Sequence, residues 1–189
     1  MFTQMEEISM LFSYQECLEK YGSDYRIKKE LASESLFMKE KGIYSTKRNV
    51  PEIEIIMYKY PKTVCTGKSA FYYHGLTDVI PEHYYLASKR TDYRINDSRI
   101  IQTFQKENLY EAGITEIDYN NSRIRVYNRE RMLIELLRFS SRIPMDYYKE
   151  IIQSYRQLTY EMDFLLIEEY VSLFHNGDTL MTVIQKEVL

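Results

Sequence analysis

The stretch SYQECLEKYGSDYRIKKELASESLFMKEKGIYST, residues 13–46, decides how the first quarter of the chain folds. Ser13 followed by Glu16 has the spacing of a capping box: the hydroxyl accepts from an orphan backbone N–H while the carboxylate reaches back to the cap. A helix over about 14–21 follows, and Gly22 supplies the left-handed residue that ends it. Ser23 caps the next helix, near 24–34, on which Ile27 and Leu31 form the inward stripe. Leu36 to Thr46 then reads as two β-prone runs around a charged turn with Gly42, the pattern of a hairpin. Upstream, Thr3 and Glu6 repeat the capping-box spacing and predict a short helix near 4–12. Three short helices and a hairpin make a winged helix-turn-helix over residues 1–50. The competing reading is a helical hairpin that only packs on the rest of the protein.

The helix near 24–34 carries the sharpest candidate site. With Ile27 and Leu31 facing inward, steps of about 100° per residue place Tyr25, Lys29 and Ser33 on the opposite face, flanked by Arg26 and Lys28. Lys and Arg suit phosphates and guanine edges, and Tyr and Ser are neutral donors, so this face has the chemistry of a DNA recognition helix. Lys39 and Lys41 in the hairpin, followed by Lys47 and Arg48, are placed to hold flanking phosphates. The alternative is a solvated basic helix face. A second basic cluster, Lys89, Arg90, Arg94 and Arg99, falls between two strand candidates and reads equally as an anion-binding face or as a charged loop.

Beyond the hairpin, Pro51 marks the expected boundary of a second module spanning 51–189, since Pro can open a helix at its first position. Helices are expected near 51–59 and 67–74, strands at 84–87 and 100–104, and a hairpin of 113–119 with 123–127 turning at Asn120-Asn121. Asn128 caps a helix whose core face is Met132, Leu133, Leu136 and Leu137, and further helices follow near 145–157, 161–175 and 178–188. The fold class expected is therefore α+β: a winged helix-turn-helix, then an α+β domain with a small antiparallel sheet and several helices.

Charge is distributed unevenly. Residues 21–50 hold seven Lys or Arg against four acids, whereas residues 144–189 hold three against eight. A DNA surface therefore belongs in the first three quarters of the chain, although the net charge of −3 argues against a bulk polyanion binder. Nineteen Tyr and eight Phe stand beside no Trp, so Tyr must do much of the aromatic packing and each buried hydroxyl needs a partner. Cys17 and Cys65 have no metal or redox spacing and fit buried thiols in a reducing compartment. The acidic N-terminus is unlike a signal peptide and the apolar runs are short, so a soluble, cytoplasmic protein with no membrane partner is expected.

Motifs for chemistry fail one by one. His74, His83 and His175 lie at no ligand spacing, and no metal or other cofactor is expected. Thr66-Gly67-Lys68-Ser69 looks like the end of a phosphate loop, but Lys62 stands where its first glycine belongs. No Asp or Glu lies two residues before a Lys, as a nuclease strand would have it, and no nucleophile elbow or HExxH occurs. The expectation is a protein without catalytic residues, with an enzyme acting on nucleic acids as the minor alternative.

SAFYYHGLTDVIPE (69–82) is similar to the "S-A-L-x-x-H-G-L-T-x-x-I-P" stretch of the AbiEi family, antitoxins of the abortive-infection type. Asn128-Arg129-Glu130-Arg131 also resembles the family's helix start after its last strand, and the likeness spans almost the whole chain. The resemblance implies binding to inverted repeats in the chain's own promoter through the N-terminal winged domain. It also implies neutralisation of a nucleotidyltransferase-like toxin, encoded alongside, without a stable complex. A monomer or weak dimer, dimeric on DNA, is the matching expectation. The rival is a winged-helix regulator of another operon whose C-terminal module dimerises or senses.

Overall fold

The computed structural model describes residues 11–120, 122–175 and 177–188. The fold is α+β, and by its internal contacts the chain divides into two compact units. The first runs to Pro61 and includes 118–124; the second comprises 62–117 and 125 onward.

In the first unit, β1 (Leu11–Ser13) leads into α1 (Tyr14–Tyr21) and α2 (Asp24–Ala32), followed by β2 (Phe37–Glu40), β3 (Ile43–Ser45) and α3 (Glu52–Lys59). Both expected caps form. Ser13 Oγ accepts from Glu16 N at 3.2 Å while Ser13 N donates to Glu16 Oε2 at 2.6 Å, and Ser23 Oγ accepts from Arg26 N at 3.4 Å. Gly22, at φ +81°, closes α1 with its N–H on Leu18 O. The expected helix near 4–12 is corrected where it can be checked: Leu11 and Phe12 are strand residues, paired with Ser45 and Tyr44. The remainder of that helix, with the Thr3–Glu6 box, lies outside the described residues.

The reason for the strand is period-two burial. Successive strand side chains point to opposite faces. Phe12 enters a cluster with Cys17, Ile27, Leu36 and Tyr44, whereas Leu11 enters another with Ile43 and Ile55. The antiparallel sheet β1-β3-β2 thus has α1 and α2 packed into one cluster and α3 into the other. Because Ile55 and Tyr58 complete that second cluster, α3 groups with the first unit, and the contact seam falls at Pro61 rather than at Pro51.

The remaining elements are β4 (Val64–Cys65), α4 (Gly67–Tyr73), β5 (Tyr84–Lys89), β6 (Ile100–Gln105), α5 (Glu107–Glu111), β7 (Ile114–Tyr119), β8 (Ser122–Tyr127), α6 (Arg129–Arg138), α7 (Met145–Gln157), α8 (Phe164–Ser172) and α9 (Gly177–Glu187). The small antiparallel sheet expected here is instead a five-stranded mixed sheet, in the order β6-β5-β4-β8-β7. β5 and β6 run parallel, as do β4 and β8, while β4 and β5 are antiparallel. The two-residue β4 makes the difference. It joins β5 to β8 and buries both its side chains, yet a Val-Cys pair is too short to read as a strand. The β7–β8 hairpin turns as expected through Asn120, at φ +50°; Asn121 lies outside the described residues.

Helix α6 runs through the core of this unit. Asn128 caps it, accepting from Arg131 N at 3.0 Å, and every residue from Arg131 to Leu137 is buried, including the four expected at its core face. Gly113 makes room for its start: at φ +84°, a Cβ there would sit 2.6 Å from Arg131 Cβ and 2.9 Å from Asn128 Oδ1. Buried tyrosines find partners on the backbone: Tyr110, Tyr127 and Tyr155 donate to the carbonyls of Lys62, Tyr110 and Arg129 at 2.6, 3.0 and 2.9 Å. Cys17 and Cys65 are buried free thiols. No helix among the described residues is long and apolar enough to cross a membrane.

Candidate nucleic-acid interface

Helix α2 turns one residue fully inward. Ile27 is 1% exposed and Leu31 packs partly buried beside it, so the rest of the helix surface is left to solvent. Tyr25, Arg26, Lys28 and Lys29 are all exposed, with Tyr25 at 77%, as the 3.6-residue phase requires. The structure brings these four together on one short helix.

They are not equivalent. Lys28 Nζ lies 2.6 Å from Asp24 Oδ2, one turn earlier, and Asp24 also accepts from Tyr14 Oη at 3.3 Å. The hydrogen bond with Lys28 lowers the Asp24 carboxyl and, reciprocally, raises the Lys28 ammonium. The Asp24–Lys28 spacing of four was visible in the sequence, and so was a signal that this cation is partly compensated. Ser33 departs from its expected place. The helix ends at Ala32, Ser33 is the C-cap, and its hydroxyl donates to Glu30 O at 3.2 Å. Serine competes for local backbone partners at helix ends, and here the C-cap bond wins.

The hairpin divides in the same way. Lys39 is half-buried: its ammonium donates to Arg48 O at 2.6 Å and lies 5.1 Å from the centre of the Phe37 ring. Burial first, and then Arg48, lower the Lys39 ammonium. Arg48 stacks on the same ring at 5.3 Å and bonds to Glu34. Lys39 therefore fixes the base of the hairpin, and Lys41, at its turn, is the exposed cation. Met38, next to Phe37 on β2, is 61% exposed.

The second basic cluster belongs to the other unit, and two of its four members are held by acids. Lys89 Nζ lies 2.5 Å from Glu107 and 2.6 Å from Glu111, both on α5, and these bonds raise its ammonium. Arg99 makes a two-pronged contact with Asp97, Nε to Oδ1 at 2.9 Å and Nη2 to Oδ2 at 2.6 Å. Arg90 and Arg94 are exposed in the loop between β5 and β6. Helix α5 was not foreseen, and it supplies both acids that hold Lys89. His74, expected near the end of α4, is its C-cap; its ring Nε2 lies 2.6 Å from Tyr127 O, and burial lowers its imidazole.

No family model and no curated protein matches the chain.

Proposed function

We propose that the protein is a sequence-specific DNA-binding repressor, with residues 11–45 acting as a winged helix-turn-helix and α2 as the helix that enters the major groove. One observation carries the reading: Tyr25, Arg26, Lys28 and Lys29 stand exposed together on a helix anchored by Ile27. Arg26 and Lys29 supply base-edge and phosphate contacts, and Lys41 in the turn of the β2–β3 hairpin supplies a flanking phosphate contact. The antitoxin role is the second half of the proposal. It rests on the likeness of SAFYYHGLTDVIPE and NRER to the AbiEi family.

The repressor reading is tested by gel-shift titration on the DNA upstream of the chain's own gene. Specific binding to an inverted repeat, with log K falling linearly against log salt, is the expected result. Equal affinity for a scrambled duplex removes it. The antitoxin reading is tested by co-expression with the adjacent gene: rescue of growth supports it, and no rescue by the full-length chain leaves a plain regulator.

A further inference from the structure

The second unit carries a half-open cavity of about 320 Å³, within the ~300–1,000 Å³ typical of small-ligand sites. Phe71 of α4, Tyr85 of β5, Phe139 and Tyr147 of α7 give it aromatic walls, and Lys68, Glu135 and Arg142 are its charged lining. The Glu135 carboxylate is 6% exposed; Arg131 Nη2 at 2.6 Å and Arg138 Nη1 at 3.6 Å both approach its Oε1. Two guanidiniums thus hold the Glu135 carboxylate at a mostly apolar wall. Lys68 is exposed, with its ammonium 6.0 Å from the centres of both the Tyr85 and the Tyr147 rings. The Tyr147 hydroxyl is buried without a protein partner among the described residues, in contrast to Tyr110, Tyr127 and Tyr155. A buried unmade hydrogen bond is costly, and native structures keep few of them.

We propose that this cavity binds a nucleotide whose base carries an exocyclic amino group. The base stacks on the aromatic walls, which tolerate any flat ring face. Its amino group donates to Glu135 Oε2, as carboxylates accept from the amino group of cytosine. The phosphate meets Lys68 and Arg142. An apolar ligand would leave Glu135 facing hydrocarbon, and inorganic phosphate would leave the aromatic walls unused. Binding here is independent of the DNA reading and survives its failure.

Isothermal titration of the full chain with AMP, GMP, CMP and UMP, at matched ionic strength, tests the site. At least one of the three amino-bearing nucleotides should bind about tenfold or more tightly than UMP, the difference that one charge-assisted hydrogen bond makes. Lys68→Ala and Arg142→Ala should each weaken that binding by about tenfold. Both variants should keep the wild-type unfolding transition without nucleotide, since both side chains are exposed. No binding of any of the four at millimolar concentration overturns the proposal. So does UMP binding as tightly as the others, or binding that neither substitution weakens.

Discussion

Helices α2 and α6 are built from similar letters, DYRIKKELA and RERMLIELLR, and they end in opposite environments. Each carries basic residues, a glutamate and an apolar stripe. In α2 only Ile27 is buried, whereas α6 buries seven consecutive residues, among them Arg131 at 0% and Glu135 at 6% exposure. The difference is the number of elements packed around each helix. Helix α6 is contacted by α4, α8 and α9, and a helix surrounded in this way has no face left for solvent. An arginine in such a helix is structural whatever its charge suggests. Arg131 is paired with Glu135, and its guanidinium lies 5.4 Å from the Tyr127 ring and 4.9 Å from the Phe174 ring.

Substitution separates the two helices most sharply at Arg131. Arg131→Ala should destabilise the protein by about 3–5 kcal/mol, because it removes one partner of a buried ion pair and leaves a hole between two rings. Chemical denaturation measures this directly. Gly113→Ala should act through the same place by driving a methyl group into Arg131 and Asn128. If either variant unfolds like the wild type, the start of α6 is looser than its packing implies.

On α2 the same kind of change should leave the fold alone. Arg26→Ala combined with Lys29→Ala should lower affinity for the specific operator by about a hundredfold and alter stability by less than about 0.5 kcal/mol. A gel shift and a thermal melt on one preparation give both numbers. An unfolded double variant would mean that α2 is structural, as α6 is. A folded variant that binds normally would move the DNA contact elsewhere.

Short-range chemistry was legible in the sequence, and long-range pairing was not. The Ser13 box, the Ser23 and Asn128 caps, the Gly22 stop and the exposed Tyr25, Arg26, Lys28 and Lys29 on α2 depend on neighbours within four residues, and each lies where its spacing put it. The strand at Leu11–Ser13 depends on Ile43 to Ser45, some thirty residues away, and a capping pattern upstream suggested helix instead. β4 depends in the same way on β5 and β8. At the candidate site, exposure on α2 followed from the helical phase, but the loss of Ser33 to a C-cap and of Lys39 to Arg48 O required the fold. The acids that hold Lys89 sit on a five-residue helix with no periodicity to announce it.

Those acids set up the smallest effect and the last test of the comparison. Lys89 and Arg99 were candidates for a second anion-binding face on composition, as Arg26 and Lys29 were for the first. In the folded chain, Glu107 and Glu111 flank the Lys89 ammonium and Asp97 forks onto Arg99, so neither cation presents an uncompensated charge to a phosphate. A cation that must first leave its carboxylates gains little from DNA, and its counterions are already displaced by protein. Lys89→Ala and Arg99→Ala should therefore leave operator affinity unchanged at every salt concentration. Lys41→Ala, which removes an exposed cation of the β2–β3 turn, should reduce the slope of log K against log salt by about one unit. Because the acids around Lys89 are largely solvated, loss of that pair should barely move the melting temperature. If Lys89→Ala instead lowers the salt slope as Lys41→Ala does, the ion pairs open on binding and the loop between β5 and β6 is part of the DNA surface.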